Sequence, residues 1–282
     1  MNLRILGVYR EVEFSPGKVG ADRAILDAVL AHLRATGAQT SALDAASFVA
    51  STPPVADLVL AMCQGGPALS RLAATAESGA LVVNSALAIR NCYRDLLGAG
   101  LTNARVPTPE GALIQTAQPF DWRALRTLEL SAPMYVKRGD LHALAPDDVQ
   151  RVEGLEQLEA TLIRFARRGI GRAYVQQEVS GVVVKFYGVG TGDEYFSAVA
   201  PEGFRLHDGL RHDLQGAGGV AAAALGLEVW GGDAIFDTDR FAIVDFNDWP
   251  SFERVREVAA PVIARRCLTL MRSHPAATLP AK

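Results

Sequence analysis

The sequence predicts an α/β (α+β) protein that opens on a small parallel sheet and continues into further strands and helices. Three observations carry this expectation. From residue 3 to residue 84, apolar runs of strand length alternate with helix-period stretches, the pattern of parallel strands joined by crossover helices. Between residues 133 and 200, runs rich in Val, Tyr and Phe recur around one long helical stretch. At residues 231–252, GGDAIFDTDRFAIVDFNDWPSF sets two apolar runs about a polar turn, as a hairpin requires.

In chain order, residues 3–9 (LRILGVY) read as the first strand and residues 22–36 as a helix ended by Gly37. The loop 11–20 between them is a candidate rim for a substrate, although an ordinary surface loop has the same look. A short strand near 39–43 precedes VADLVLAMC (55–63), an unbroken apolar run suited to a strand buried on both faces. QGGPALSRLAATAESG (64–79) gives a turn, a helix with Pro near its start and a terminal Gly, and ALVVN (80–84) another strand. Residues 84–100 read as one Ser-capped helix. Strands ending at Lys137, at 173–181, at 182–190 and at 194–200 surround a helix over 153–168. Residues 205–219 are polar and glycine-rich and read as mobile, with a small-residue helix over 219–227. An amphipathic helix over 254–271 is expected to be interrupted near Pro261.

At 282 residues the chain can bury a full core in one to three subdomains. A formal charge of −3 leaves no broad basic surface for nucleic acid. Cys63, Cys92 and Cys267 are scattered without metal spacing and read as reduced thiols of a cytoplasmic protein. No apolar stretch is long enough to span a membrane, and MNLRILGVYR reads as a strand rather than a signal peptide. No GxGxxG follows the first strand, so no dinucleotide is placed there. Of the 28 Lys and Arg residues only Lys18, Lys137, Lys185 and Lys282 are lysines. Where Lys persists inside an apolar strand of so arginine-rich a chain, a compact ammonium is called for, and Lys137 and Lys185 are those positions.

The hairpin carries the chemistry. Asp245 and Asn247 are two apart on one strand and share a face. A three-residue turn, Thr238 to Arg240, would pair Asp237 with Phe241 and set Asp233 opposite Asp245, whereas a two-residue turn would shift the match by one. Two carboxylates and an amide oxygen on apolar strands call for a cation, since buried unpaired charge is costly. Hard oxygen ligands without His or Cys suit magnesium, which keeps several waters and takes substrate phosphates. A solvated hairpin with acids at its turn accounts for Asp237 and Asp239 but not for Asp245.

GGDAIF followed by AIVDFNDWPSF resembles the closing motif of the ATP-grasp superfamily. That resemblance implies an ATP-grasp fold, with a pre-ATP-grasp domain over 1–104, a central subdomain over 105–181 and a C-terminal subdomain over 182–282 that together sandwich ATP. It implies Asp233, Asp245 and Asn247 as ligands of magnesium on ATP phosphates. Asp at 245, where the superfamily often has Glu, is similar to inositol polyphosphate kinases. Lys137 matches the lysine that reaches the α-phosphate and the adenine edge. Glu178 and Val179 match the backbone hinge that reads adenine, with Gln176 or Gln177 beside the purine. Lys185, inward or at the cleft, matches a cation that contacts phosphate or acceptor, and should have a carboxylate partner or a bound anion. The family often has Lys near 94 or 95; Arg94 reads better as an exposed helix arginine. With one Gly in RGDLHALAP, closure over the phosphates falls to Arg138 and His142, the latter donating to phosphate or simply packing. Arg205 or Arg211 would close over the γ-phosphate, and Ser251 would touch the acceptor.

The implied activity is an ATP- and magnesium-dependent carboxylate–amine ligase that works through an acyl phosphate on a small molecule or peptide. The alternatives are a small-molecule kinase of the inositol polyphosphate kinase-like type and a non-catalytic nucleotide-binding protein. A homodimer is expected.

Overall fold

The computed structural model describes residues 3–274. These form three four-stranded sheets in succession along the chain. The first, in the order β2-β1-β3-β4, is parallel and comprises β1 (Arg4–Tyr9), β2 (Gln39–Asp44), β3 (Leu58–Ala61) and β4 (Leu81–Val83). Crossover helices α1 (Val19–Ala35), α2 (Ala45–Ala50) and α3 (Gly66–Glu77) cover its faces. The second is antiparallel in the order β5-β8-β6-β7, from β5 (Gly111–Gln115), β6 (Pro133–Arg138), β7 (Val149–Glu153) and β8 (Arg172–Gln177). Helix α6 (Gly154–Arg167) buries Leu158, Leu162 and Phe165 against it. The third is antiparallel in the order β10-β9-β11-β12, from β9 (Val182–Val189), β10 (Tyr195–Val199), β11 (Val229–Asp237) and β12 (Arg240–Asp248).

Three expectations need correction. The stretch 84–100 is two helices, α4 (Ala86–Asn91), capped by Ser85 Oγ, and α5 (Arg94–Asn103). The break at Cys92–Tyr93 starts α5 with Arg94 turned inward. The segment read as mobile is instead α7 (Asp208–Leu225), continuous over 18 residues. Its glycines serve close packing: a Cβ on Gly219 would meet Thr191 O at 2.0 Å, and one on Gly218 would meet the Trp230 ring at 2.8 Å. The last helix, α8 (Arg256–Ser273), runs through Pro261 without interruption. Pro261 lies in its second turn, and the core contacts of Ala260, Ile263, Ala264 and Cys267 hold the helix around it.

That helix does not pack as an appendage of the third sheet. It lies on α1, so Ile263 and Cys267 share one core with Ile25, Val29 and Leu33 of the first sheet's layer and with Tyr187 and Val189 of β9. Helix α8 thereby clamps the first sheet to the third. No helix among the described residues is long and apolar enough to cross a membrane.

Candidate functional site

The hairpin turn is two residues, Thr238 and Asp239, so Asp237 pairs with Arg240 rather than with Phe241 as the assumed register had it. Carried inward, that register would place Asp233 opposite Val244. A β-bulge between Asp233 and Ala234 inserts Val244 as an extra residue and returns Asp233 to its place opposite Asp245. The expected pairing is present, reached by another route. The bulge also turns the Val244 carbonyl out of the ladder, where it accepts a hydrogen bond from Lys137 Nζ at 3.1 Å across the gap between the second and third sheets.

On the other side of β11, Lys185 of β9 lies directly opposite Asp233. Lys185, Asp233 and Asp245 therefore form one row across three strands. Lys185 Nζ pairs with Asp233 Oδ1 at 2.8 Å, which supplies the carboxylate partner expected for this lysine. Lys185 is at the cleft rather than buried. Asn247 Nδ2 donates to Asp245 Oδ2 at 3.3 Å from the same face of β12. Phe246 and Asp248 point the other way and are fully buried.

Two carboxylates directly opposed in a sheet repel, and here cations balance them. Burial alone would raise the Asp245 pKa, but the positive charges of Arg94 and Lys137 hold it below the usual carboxylate value. Lys137 is buried, and desolvation brings it down to about 8 despite the pull of Asp245. Its ammonium donates to Gln176 Oε1 at 2.7 Å. Burial also holds the His142 imidazole well below its ordinary value, so it is neutral at pH 7. Arg94, expected to be exposed, is 8% exposed, and its Nη1 has no hydrogen-bond partner.

These groups meet in a cavity of about 410 Å³ lined by Asp233, Asp245, Asn247, Lys185, His142 and Ser251, and by Phe14, Ser15, Pro16 and Lys18 of the loop 11–20. It opens where β1 and β3 end, at Arg10 and Gln64, the usual side for ligands of a parallel sheet. A second recess, about 690 Å³, lies at the opposite end of that sheet and its one carboxylate, Asp57, is already paired with Arg4 at 2.6 Å. It has none of this chemistry.

No protein-family profile matches the sequence, and a search of curated proteins finds no match. Solved structures do match the fold. D-alanine–D-alanine ligase from Bacillus anthracis, complexed with ATP, superposes with a TM-score of 0.73 at 11% identity, covering 97% of this chain and 99% of the other. An ATP-grasp RimK domain protein from Sphaerobacter thermophilus gives 0.69 at 17% identity, covering 94% and 99%. A D-cycloserine synthetase gives 0.68 at 14% identity, covering 95% and 99%. The chain has the ATP-grasp fold.

Within this fold the remaining predicted residues divide. Gln176 is buried beside Lys137 at a narrow gap of about 20 Å³, with Arg94, Tyr174 and Val244 around it. Gln177 turns away, its amide donating to Pro133 O at 2.9 Å. The Glu178 carboxylate is held by Arg151 at 2.9 Å, and its N–H donates to Pro133 O, which removes that N–H from the expected adenine hinge. Val179 follows it and lines neither the cavity nor the gap. Arg138, expected at the phosphates, is committed to Asp140 and Asp148. Arg205 is exposed before α7 and lines neither the cavity nor the gap; its loop is drawn along the outer face of the sheet by α7.

Residues that local sequence did not single out complete the floor. Arg10 donates to Asp248 O and Trp249 O at 3.0 and 2.9 Å, and Gln64 Nε2 to Asp248 Oδ1 at 2.6 Å. Burial pushes Asp248 up to about 6, against the pull of Arg10 and Gln64. A buried acid one residue past Asn247 was a visible signal. Its partner, 238 positions away, was not.

The donor set fits a hard divalent cation. Asp233 and Asp245 supply two facing carboxylates and Asn247 an amide oxygen. Among the described residues no group of three or more His, Cys, Asp or Glu gathers as a closed metal cage. An open set of this kind leaves room for water and phosphate oxygens, as magnesium prefers.

Proposed function

We propose that this ATP-grasp protein is an ATP- and magnesium-dependent ligase that joins a carboxylate to an amine on a small molecule or peptide through an acyl phosphate. The observation that carries the reading is the row Lys185–Asp233–Asp245, with Asn247, at the wall of the 410 Å³ cavity.

Asp233, Asp245 and Asn247 would hold the magnesium, which when bound neutralises and orients the nucleotide phosphates. Arg94, Lys137 and Lys185 add positive charge around the transferring group, and Gln176 lies beside the purine. Ser251 and the loop 11–20 face the acceptor. A substrate carboxylate oxygen bonds to the γ-phosphorus as the bond to ADP breaks. The amine nitrogen then bonds to the acyl carbon, phosphate leaves, and the amine proton passes to solvent. Such transfer needs positioning and charge neutralisation more than a protein nucleophile. The 20 Å³ gap is too narrow for a purine, so nucleotide entry requires the second and third sheets to part and the Lys137–Val244 bond to break.

A kinase is the second reading, favoured by Asp rather than Glu at 245 and by the cleft position of Lys185. A polyphosphate acceptor would want a strongly basic pocket. The walls instead carry five cations, Arg10, Lys18, Arg94, Lys185 and Arg254, against four carboxylates, Asp22, Asp233, Asp245 and Glu253. This near balance favours the ligase. A nucleotide-binding protein without turnover is the third reading.

The test is a thermal-shift screen of carboxylates and amines with magnesium and a non-hydrolysable ATP analogue, followed by ATP turnover with each hit in hydroxylamine. Hydroxamate formation supports the ligase, and a stable phosphorylated product replaces it with the kinase. Binding without turnover of ATP by any hit leaves only the third reading.

A further inference from the structure

Directly after the proposed metal strand the backbone takes an unusual course. Trp249 and Phe252, neither of them glycine, have φ of 37° and 49°, and Pro250 and Ser251 lie between them. Such residues persist in the left-handed region only where their surroundings over-determine them. Arg10 provides that constraint from the first sheet. One Nη2 serves the carbonyls of both Asp248 and Trp249 at 3.0 and 2.9 Å. Nε serves Met62 O at 3.1 Å at the end of β3, and Nη1 meets Asp22 Oδ2 at 3.3 Å on α1. Asp22 is fixed in turn by Ser15 Oγ at 2.6 Å, in the loop that rims the cavity.

We infer that Arg10 is a positioning residue for the metal site: its guanidinium fork holds the left-handed turn at Trp249 and so fixes the end of β12 that carries Asp245 and Asn247. This rests on the magnesium reading above. The argument is geometric. Asn247 is two residues from the turn, and β12 is the edge strand of its sheet, with a ladder on one side only. Among the described residues, the only hydrogen-bonded link from Asp248 and Trp249 to the first sheet other than Gln64 is this arginine. A lysine would keep the charge but place it on one nitrogen, which cannot serve Met62, Asp22 and the turn together.

The test is a magnesium titration of nucleotide binding with a non-hydrolysable ATP analogue, on wild type, Arg10→Met, Arg10→Lys and the control Asp245→Asn, with thermal unfolding of each. The expected result is a magnesium midpoint raised about tenfold in both Arg10 variants, the size seen when a support of metal ligands is lost, with cooperative unfolding kept. Where Arg10→Met does not fold, Arg10→Lys decides. A midpoint within twofold of wild type in the folded variants overturns the inference, as does its full restoration in Arg10→Lys, which would assign the effect to charge alone. Loss of the magnesium response in Asp245→Asn with unchanged Arg10 variants leaves the metal reading standing. An unchanged response in Asp245→Asn removes both.

Discussion

Asp245 stands among three cationic or neutral-basic side chains, and much of the proposed chemistry is decided by that company. Removing its charge with Asp245→Asn leaves Arg94 and Lys137 buried without their balancing carboxylate; we expect nucleotide turnover to fall by about a hundredfold or more, measured with saturating magnesium. Lys137 offers a test in the absence of any ligand. Its folded-state pKa is lowered from 10.5 to about 8 by burial. Between those values the unfolded chain keeps the proton that the folded chain has lost, so stability rises with pH across the window. Denaturant titrations should show wild type gaining roughly 2 kcal/mol on Lys137→Met between pH 8 and pH 10. Both residues were visible in sequence, Asp245 from its place inside FAIVDFN and Lys137 from the scarcity of lysine. Arg94 was not, because a helix arginine is usually solvated and nothing local announces that α5 starts at that residue.

Among the elements, α7 and the hairpin show how glycine and register carry meaning that composition hides. Glycines in α7 looked like signs of a loop, yet Gly218 and Gly219 lie where a side chain would collide with Trp230 and Thr191. Gly216, in the same helix, has open space around the Cβ position. Gly219→Ala should therefore destabilise by about 1–3 kcal/mol, and Gly216→Ala should stabilise by about 0.5–1 kcal/mol, both by chemical denaturation. Opposite signs for one substitution three residues apart separate packing from helix propensity. The hairpin makes a similar point. Its turn length and its bulge are two departures from the expected register that cancel, so Asp233 still meets Asp245, and the bulge alone accounts for the Lys137–Val244 contact.

At the scale of the molecule, α8 ties the first sheet to the third, since its buried face sits in the core formed by α1, β1, β3 and β9. Ile263→Ala should cost about 2–5 kcal/mol, and hydrogen exchange should show lost protection in β1 and β3 as well as in β9. Loss confined to the third sheet would contradict this packing. By itself the sequence determined what is local: the alternating strands and helices of the first sheet, the apolar hairpin, and the three oxygen-bearing side chains that alternation puts on one face of it. Those depend on periodicities of two and 3.6 residues, which neighbours in the chain set between them. Only the tertiary structure decided the bulge, the burial of Arg94, the engagement of Glu178 and Arg138 elsewhere, and the reach of Arg10 to Trp249. Each of these depends on a partner brought close by folding from a distant part of the chain, where burial and hydrogen-bond satisfaction, not local propensity, set the outcome.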